Sequence, residues 1–314
     1  MVTAREDAGG FAALMDERTR IADFLAQHVR EILGERGGYL AKTTEHVLST
    51  PGKLLRPLLL LDACRAAGGD PERVFPAACG TEYGHIASLI HDDIMDGDEA
   101  RRGQPTLHVK YNLPAAILTG DLLIFQTFLS YTDCMESGVS ADRVLKAIRT
   151  LSRTCIEMCQ GQALEAAMAG KLETTEEAYL EMIHLKTASF CSAAARIGAR
   201  LGGAEESAII ALGNYGHYLG MAFQIVDDLL PYFGDQTVLG KPITSDMRNR
   251  RVTLPVIYAL QSRDRQVPQR LRALFAADAG LDAEAYRELL HLLNASRSLD
   301  RARAVAYRYT TRAK

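Results

Sequence analysis

The sequence predicts an all-α fold, and three observations support that prediction. Apolar residues recur at helical spacing over long stretches, as they do from residue 11 to residue 33. Strand signals are nearly absent, since the chain has no alternating Val/Ile/Thr runs, no Asn-Gly turn and no Trp. Alanine is abundant throughout, which favours close packing between helices. No linker or repeat divides the sequence, so we expect one all-α domain spanning residues 1–314.

Composition indicates an ordinary soluble globular protein. The chain has 314 residues, of which 47% are hydrophobic and 24% charged, and this length is sufficient for a substantial core. The formal charge of −3 provides no basic field for nucleic acid. The six cysteines form no CxxC pair, which is typical of buried thiols in a reducing, cytoplasmic compartment. No apolar run approaches about 18 residues, and Arg5, Glu6 and Asp7 precede any such run, so we expect neither a membrane span nor a signal peptide.

Glycine and proline predict where the helices begin and end. Gly34 and the pair Gly37-Gly38 end the first helix. Pro57 fits the first turn of a helix over Leu58–Ala67, and a long helix is predicted from about residue 140 to 168. Glycine and proline also gather in three stretches that we predict to be loops, namely 97–105, 231–242 and the region near 203.

The stretch Ser88–Asp96 ends an apolar helix in three carboxylates. Asp92 and Asp96 lie four residues apart and project from one helix face, with Asp93 about 100° around. Carboxylates this close repel one another unless a cation or protons neutralise them. Mg²⁺ suits such a site, because it takes one or two carboxylates and fills its other positions with water and phosphate.

A similar pattern recurs at Gly220–Asp235, where another apolar helix carries the adjacent carboxylates Asp227 and Asp228. A basic segment that includes Lys241 and Arg251 follows it, just as a pair of arginines follows the first cluster. The two aspartate clusters could therefore face one another across a cavity and hold metal ions that bind a diphosphate. The surrounding cations would take the diphosphate oxygens that the metals leave free.

Further cations stand where they could bind anions. Lys53 and Arg56 come just before a predicted helix N-terminus, whose backbone N–H groups favour negative charge. Arg101 and Arg102 carry planar guanidinium forks that stay charged at any working pH. Lys186 lies in an otherwise apolar stretch, so it needs a partner or a route to water.

With these motifs in this order, the chain resembles the trans-isoprenyl diphosphate synthases, also called the polyprenyl synthetase family, from about residue 50 to about residue 255. The similarity is to geranylgeranyl and longer-chain synthases. It implies a helical bundle around a deep central cavity, a homodimer, and about three Mg²⁺ ions per active site. It also implies a reaction that joins isopentenyl diphosphate to an allylic diphosphate and gives an all-trans product of C20 or longer.

The resemblance assigns roles to individual residues. Isopentenyl diphosphate would be held by Lys53, Arg56, His85 and Arg102. The allylic diphosphate would be held by Arg101, Lys186, Thr187, Gln224, Lys241 and Arg251. The metal ions would be held by Asp92, Asp93, Asp96, Asp227 and Asp228. The residues closest to the chemistry would be Asp92, Asp96, Arg101, Lys186 and Asp227. The chain departs from the family at Leu54, where a second basic residue is usual, and at Arg251, where lysine is usual.

The same resemblance implies that product length depends on the residues one turn before the first aspartate cluster. Short-chain members carry bulky aromatics there, whereas this chain has Ala87 and Ser88, with Tyr83 a turn lower as the next obstruction. We therefore expect the long product, and Ala87→Phe should shorten it to about C15.

The clearest departure from the family is Pro231, which replaces the third aspartate of the second cluster. Proline removes a carboxylate and a helix N–H, and the helix bends or ends there on the simplest interpretation. We expect elongation to be retained with a raised Mg²⁺ requirement. A class I terpene cyclase, prenyl transfer to an unusual acceptor, and a non-catalytic subunit of a heteromeric synthase remain the alternatives. The two separate diphosphate sites favour the synthase over the cyclase, and the retained aspartates favour it over the subunit.

Overall fold

The computed structural model describes residues 4–33, 37–233, 249–276 and 283–314, and it confirms the all-α fold. The helices in the first half of the chain are α1 (Ala4–Leu33), α2 (Gly38–Leu48), α3 (Leu55–Ala66), α4 (Pro71–Asp96), α5 (Leu107–Lys110), α6 (Leu113–Asp133) and α7 (Ala141–Met168). The second half contains α8 (Glu176–Ile183), a π-helix (His184–Ala188), α9 (Ser189–Gly202), α10 (Glu206–Phe233), α11 (Leu254–Leu260), α12 (Gln266–Ala276), α13 (Ala283–Ala295) and α14 (Ser298–Ala313).

A short hairpin interrupts the loop predicted over 97–105. Strand β1 (Ala100–Arg101) pairs antiparallel with β2 (Gln104–Pro105). The two residues between them, Arg102 and Gly103, both have positive φ, of 51° and 78°. That combination is typical of the type I′ turn, whose twist matches the twist of the paired strands. The hairpin fixes the direction of the two arginines that follow the first aspartate cluster.

Several helix boundaries differ from those predicted, and two of them lie near the predicted site residues. Helix α3 begins at Leu55, three residues before the predicted start, with Pro57 in its first turn as expected. Helix α10 continues through Pro231 to Phe233, so the prediction of a loop from residue 231 is wrong for its first three residues. The hydroxyl of Tyr286 donates to the carbonyl of Pro231 at 2.7 Å and satisfies one of the carbonyls that a helix end leaves without a partner.

The described residues form two compact units. The first comprises Met1–Thr150 and Ala194–Ile210, and the second comprises Leu151–Ala193 and Ala211–Lys314. The expectation of a single domain therefore stays a prediction. In the first unit, α4 packs along α6 and against α3. The largest fully buried side chains of this unit include Leu60, Tyr83, Leu123 and Tyr131.

The second unit has its own apolar core. It joins α8, the π-helix, most of α10 and the helices α11 to α14, with Ile183, Ile225, Leu254 and Leu293 almost fully buried. Buried apolar area of this kind is the main favourable contribution to folding. The core holds α10 against α8, which positions the second aspartate cluster.

One helix of the described chain, α6, is long and apolar enough to cross a membrane. Its most apolar window is 44% buried within the protein, and the core helix of a water-soluble protein can have the same composition. A single helix of this kind is weak evidence for a membrane span.

Candidate active site

The first aspartate cluster occupies the last turn of α4, which ends at Gly97 in the left-handed conformation. Asp93 is only 6% exposed, and its Oδ1 accepts a hydrogen bond of 2.5 Å from Nε of Arg101. Burial raises the pKa of Asp93 to about 6, although the Arg101 guanidinium acts in the opposite direction. Asp92 and Asp96 are half-buried and share the helix face expected from their spacing. The three aspartates therefore differ in burial, because Asp93 is buried against Arg101 whereas Asp92 and Asp96 are partly exposed.

The loop before α3 is held from two sides. Nη1 of Arg102, at the tip of the hairpin, donates to the carbonyl of Thr50 at 2.9 Å. Nη2 of Arg18, on α1, donates to the carbonyl of Gly52 at 3.1 Å. Leu54 adopts the left-handed conformation as N-cap of α3, and its side chain is 2% exposed. The residue that replaces a family cation therefore contributes to the core instead of the surface.

A buried glutamate lies among the cations predicted for isopentenyl diphosphate. Glu82 is 1% exposed, and its Oε2 has no hydrogen-bond partner among the residues that the structure describes. Burial raises the pKa of Glu82 to about 7, and the charges of Arg56 and Arg102 oppose that rise. Burial, together with the neighbouring arginines, lowers the pKa of His85 well below its usual range. Burial and the arginines therefore both disfavour the positively charged form of His85.

The residues predicted to limit product length lie on the same helix. Tyr83 is fully buried, and its hydroxyl donates to the carbonyl of Leu25 on α1 at 3.3 Å. Ala87 is buried, while Ser88 is half-buried and donates through Oγ to the carbonyl of His85 at 2.7 Å. The side chain that we expected to obstruct the tail is therefore anchored to α1.

In the second unit, Lys186 and Thr187 lie in the π-helix between α8 and α9. Two glycines allow neighbouring helices to approach this turn. A Cβ on Gly161 of α7 would lie 2.4 Å from the backbone nitrogen of Lys186, and one on Gly220 of α10 would lie 2.7 Å from Cα of Ala188. π-Helical turns are frequent at functional sites, because the extra residue redirects the side chains. Here the turn presents lysine and threonine from the middle of an apolar stretch.

Two of the predicted cations of this unit, Lys186 and Arg251, bind one carboxylate. Oε2 of Glu165, on α7, accepts a hydrogen bond from Nζ of Lys186 at 2.6 Å. Nη2 of Arg251 lies 3.1 Å from the same oxygen. Glu165 is the partner that a lysine in an apolar stretch requires. Glu165 was not predicted from the sequence, although it stands four residues after the Gly161 that brings α7 close to Lys186.

A hydrogen-bonded chain links the π-helix to the second aspartate cluster. Oγ1 of Thr187 donates to Oε1 of Gln224 at 2.8 Å, and Nε2 of Gln224 donates to Oδ1 of Asp228 at 2.8 Å. The hydroxyl of Tyr179 donates to Oδ2 of Asp228 at 2.6 Å. Both oxygens of Asp228 are therefore engaged, whereas the neighbouring Asp227 is exposed. Lys241, the remaining predicted cation, lies outside the described residues.

The carboxylates suit Mg²⁺ better than a metal that needs a complete protein cage. Among the described residues, no three His, Cys, Asp or Glu side chains gather closely enough to hold an ion by themselves. Mg²⁺ does not need such a cluster, because it keeps several waters and binds one or two carboxylates together with phosphate oxygens. Asp92, Asp96 and Asp227 match that requirement. The expectation that the two aspartate clusters face one another stays a prediction.

Comparisons with known proteins agree with these motifs. A short chain isoprenyl diphosphate synthase of Methanothermobacter thermautotrophicus is 38% identical over 87% of this chain and 83% of its own length. A geranylgeranyl diphosphate synthase of Methanosarcina mazei is 40% identical over 79% of this chain and 76% of its own. The crystal structure of a geranylgeranyl pyrophosphate synthetase from Pyrococcus horikoshii matches with a TM-score of 0.86 and 32% identity, covering 97% of this chain and 91% of that one. The model of the polyprenyl synthetase family matches residues 38–293, and the chain belongs to that family.

Proposed function

We propose that the protein is a chain-elongating trans-prenyltransferase that condenses isopentenyl diphosphate with an allylic diphosphate. The observation that carries the proposal is the presence of two separate groups of cations. We name Lys53, Arg56 and Arg102 the first cation set, and Lys186 and Arg251 the second cation set. One set for each diphosphate is what a reaction between two diphosphates needs. A terpene cyclase needs only one.

The reaction follows from what the residues can bind. The second cation set neutralises the allylic diphosphate as its C–O bond breaks and the bonding electrons leave with oxygen. The first cation set holds isopentenyl diphosphate, whose double bond attacks C1 of the allylic cation. A proton is then lost to the departing diphosphate, and the chain has grown by one isoprene unit. Asp92 and Asp96 in the first cluster, and Asp227 in the second, would each hold Mg²⁺, which would supply Lewis-acid stabilisation of the leaving group.

Turnover distinguishes the possible functions. The purified protein is incubated with Mg²⁺, labelled isopentenyl diphosphate, and either dimethylallyl or farnesyl diphosphate. Longer labelled diphosphates support the synthase, and hydrocarbons would support the cyclase. A prenylated acceptor that forms from the allylic diphosphate without incorporating labelled isopentenyl diphosphate would indicate prenyl transfer to that acceptor. No turnover with either primer would support the non-catalytic subunit.

We propose a product of C20 or longer, as in the relatives named geranylgeranyl and geranylfarnesyl diphosphate synthases. The small side chains of Ala87 and Ser88 support this length, because neither blocks the helix face before Asp92. Ala87→Phe should shorten the product. Since Ala87 is buried, overpacking would be expected as well, and Ser88→Phe at the half-buried neighbour provides the second test. An unchanged product distribution in both variants would contradict this path for the tail.

We propose that the protein forms a homodimer through α6. Along one face of this helix Leu118, Phe125 and Leu129 are exposed, and Phe125 is 72% exposed. An apolar row of this kind on a helix is characteristic of an interface. Light scattering should give a dimer for the native protein and a monomer for Phe125→Lys. Dimers of both proteins would contradict the proposal. So would co-sedimentation with lipid vesicles of the native protein but not of Phe125→Lys, because the apolar row would then bind lipid.

We also propose that the protein works in the cytoplasm with Mg²⁺ as its metal. All six cysteines are free thiols, which supports a reducing compartment. Titrating the protein with Mn²⁺, a spectroscopic substitute for Mg²⁺, in the presence of pyrophosphate measures metal binding without turnover. The count of bound ions tests the expected three per active site.

A further inference from the structure

Glu165 contacts both members of the second cation set. Its Oε2 lies 2.6 Å from Nζ of Lys186 and 3.1 Å from Nη2 of Arg251. The three side chains are only 14%, 18% and 18% exposed. Two cations that share one oxygen lie close together, and they would repel each other without the carboxylate. Partial burial strengthens both the repulsion and the attraction that offsets it.

Helix α7 is built to bring Glu165 to this position. Gly161 precedes Glu165 by four residues, so both lie on the same face of α7. The missing side chain at Gly161 lets α7 contact the backbone of Lys186, where a Cβ would come within 2.4 Å of its nitrogen. The close approach and the ion pair therefore come from consecutive turns of one helix.

We propose that Glu165 is a positioning residue that assembles Lys186 and Arg251 into one paired cation for the allylic diphosphate. The inference rests on the proposed function and deepens it. Lysine has three N–H donors and arginine five, so each keeps donors for phosphate oxygens after bonding to Glu165. Arginine suits this arrangement, because its fork can donate to the carboxylate on one side and to phosphate on the other. This explains how arginine functions at position 251, where the family usually has lysine.

The opposite role, competition with the diphosphate, makes the opposite prediction. A carboxylate that only competed for the two cations would weaken diphosphate binding, and neutralising it would tighten binding. A carboxylate that positions them strengthens binding, and neutralising it lets the lysine stem and the guanidinium move apart. The direction of the change in affinity therefore decides between the two roles.

The test is the affinity for inorganic pyrophosphate, measured by calorimetry in the presence of Mg²⁺. Glu165→Gln keeps the shape of the side chain and removes its charge, and we expect it to weaken pyrophosphate binding about tenfold. The same variant should raise the KM for the allylic diphosphate and leave the KM for isopentenyl diphosphate unchanged. Glu177→Gln, an exposed glutamate on α8, is the charge-matched control and should behave as the native protein. Unchanged or tighter pyrophosphate binding by Glu165→Gln would overturn the inference.

A double-mutant cycle tests whether Glu165 acts through the cations. Lys186→Met should weaken pyrophosphate binding less in the Glu165→Gln background than in the native protein, because the lysine is then no longer positioned. Equal losses in both backgrounds would overturn the inference. Glu165→Asp keeps the negative charge and should bind pyrophosphate more tightly than Glu165→Gln does. Native protein that binds pyrophosphate but does not elongate would instead contradict the proposed function. Thermal unfolding of each variant verifies that it is folded.

Discussion

At the scale of single residues, each aspartate cluster contains one carboxylate that bonds the protein's own side chains and a neighbour that is more exposed. Asp93 accepts from Arg101, and Asp228 accepts from Tyr179 and Gln224, so these two hold the protein's own side chains in place. Their neighbours Asp92 and Asp227 are more exposed. The sequence could predict the clusters but not this difference. Adjacent residues on a helix point about 100° apart, and only tertiary packing decides which direction meets a partner.

This difference between adjacent aspartates predicts different effects when each is substituted. Asp227→Asn should abolish most turnover and weaken Mn²⁺ binding, yet change the free energy of unfolding by no more than about 0.5 kcal/mol. Asp228→Asn loses acceptor capacity for Tyr179 and Gln224, and it should destabilise the fold by about 1–3 kcal/mol. Urea denaturation and Mn²⁺ titration measure the two quantities. Asp92→Ala and Asp96→Ala should likewise abolish most turnover and weaken Mn²⁺ binding, and near-normal activity in any of the three variants would contradict the metal assignment.

Glu82 predicts a pH dependence of stability. Its pKa is about 7 in the folded protein, raised by burial from about 4.5, so the folded state retains a proton that the unfolded state has released. The free energy of unfolding therefore falls by roughly 3 kcal/mol as pH rises from about 5 to about 7. Above that range the ionisation of Glu82 causes no further fall. Glu82→Gln removes the ionisable group. The difference in the free energy of unfolding between this variant and the native protein should therefore shift in favour of the variant as pH rises over the same interval. Urea denaturation at several pH values tests this, with Glu177→Gln as control. Parallel pH profiles for all three proteins would contradict the prediction.

At the scale of elements, the positions of the helices could be predicted well from the sequence, whereas the contacts between side chains of different helices could not. Helix α7 was predicted from about 140 to 168 and spans Ala141–Met168, because apolar periodicity is a local property. The π-helix was not predicted, since one extra residue per turn leaves no signal in that periodicity. Glu165 and Tyr179 were missed for a related reason, because each acts through a residue distant in sequence.

Pro231 shows how an element absorbs an unfavourable residue. A proline inside a helix costs about 3 kcal/mol, because it removes one hydrogen bond and clashes with the preceding turn. Helix α10 nevertheless continues to Phe233. Tyr286 of α13 bonds the carbonyl of Pro231, and the guanidinium of Arg303 of α14 lies 4.5 Å from the ring centroid of Phe233. Contacts from the last two helices therefore offset part of that cost.

We expect Pro231→Asp to lower the Mg²⁺ concentration for half-maximal rate without changing the kind of product. The new carboxylate would stand one turn after Asp227, on the same helix face. Pro231→Asn is the matched control, because it restores the helix N–H without adding a charge, and it should leave the Mg²⁺ requirement unchanged. Equal effects of both substitutions would mean that helix geometry, and not the lost carboxylate, sets the requirement. Elongation that appears only in Pro231→Asp would mean that the natural activity is a different one.

At the scale of the whole molecule, three helices supply residues to both compact units. Helix α7 passes from the first unit to the second between Thr150 and Leu151. Helix α9 passes from the second to the first after Ala193, and α10 passes back after Ile210. A helix is cooperative along its length, because each turn adds a hydrogen bond to those already formed. Unfolding one unit alone would therefore leave three helices ending in the middle, with several carbonyls and N–H groups without partners.

This sharing predicts that the protein unfolds as a single domain. Differential scanning calorimetry should show one transition whose calorimetric and van't Hoff enthalpies agree when calculated per cooperative unit. Mg²⁺ and pyrophosphate should raise the temperature of the whole transition, since a ligand of the folded state stabilises every part that unfolds with it. At a pyrophosphate concentration one hundred times the Kd, the free energy of unfolding should increase by about 2.7 kcal/mol. Glu165→Gln should reduce this shift, and Glu177→Gln should not. Two transitions, of which the ligand shifts only one, would mean that the units fold independently in spite of the helices they share.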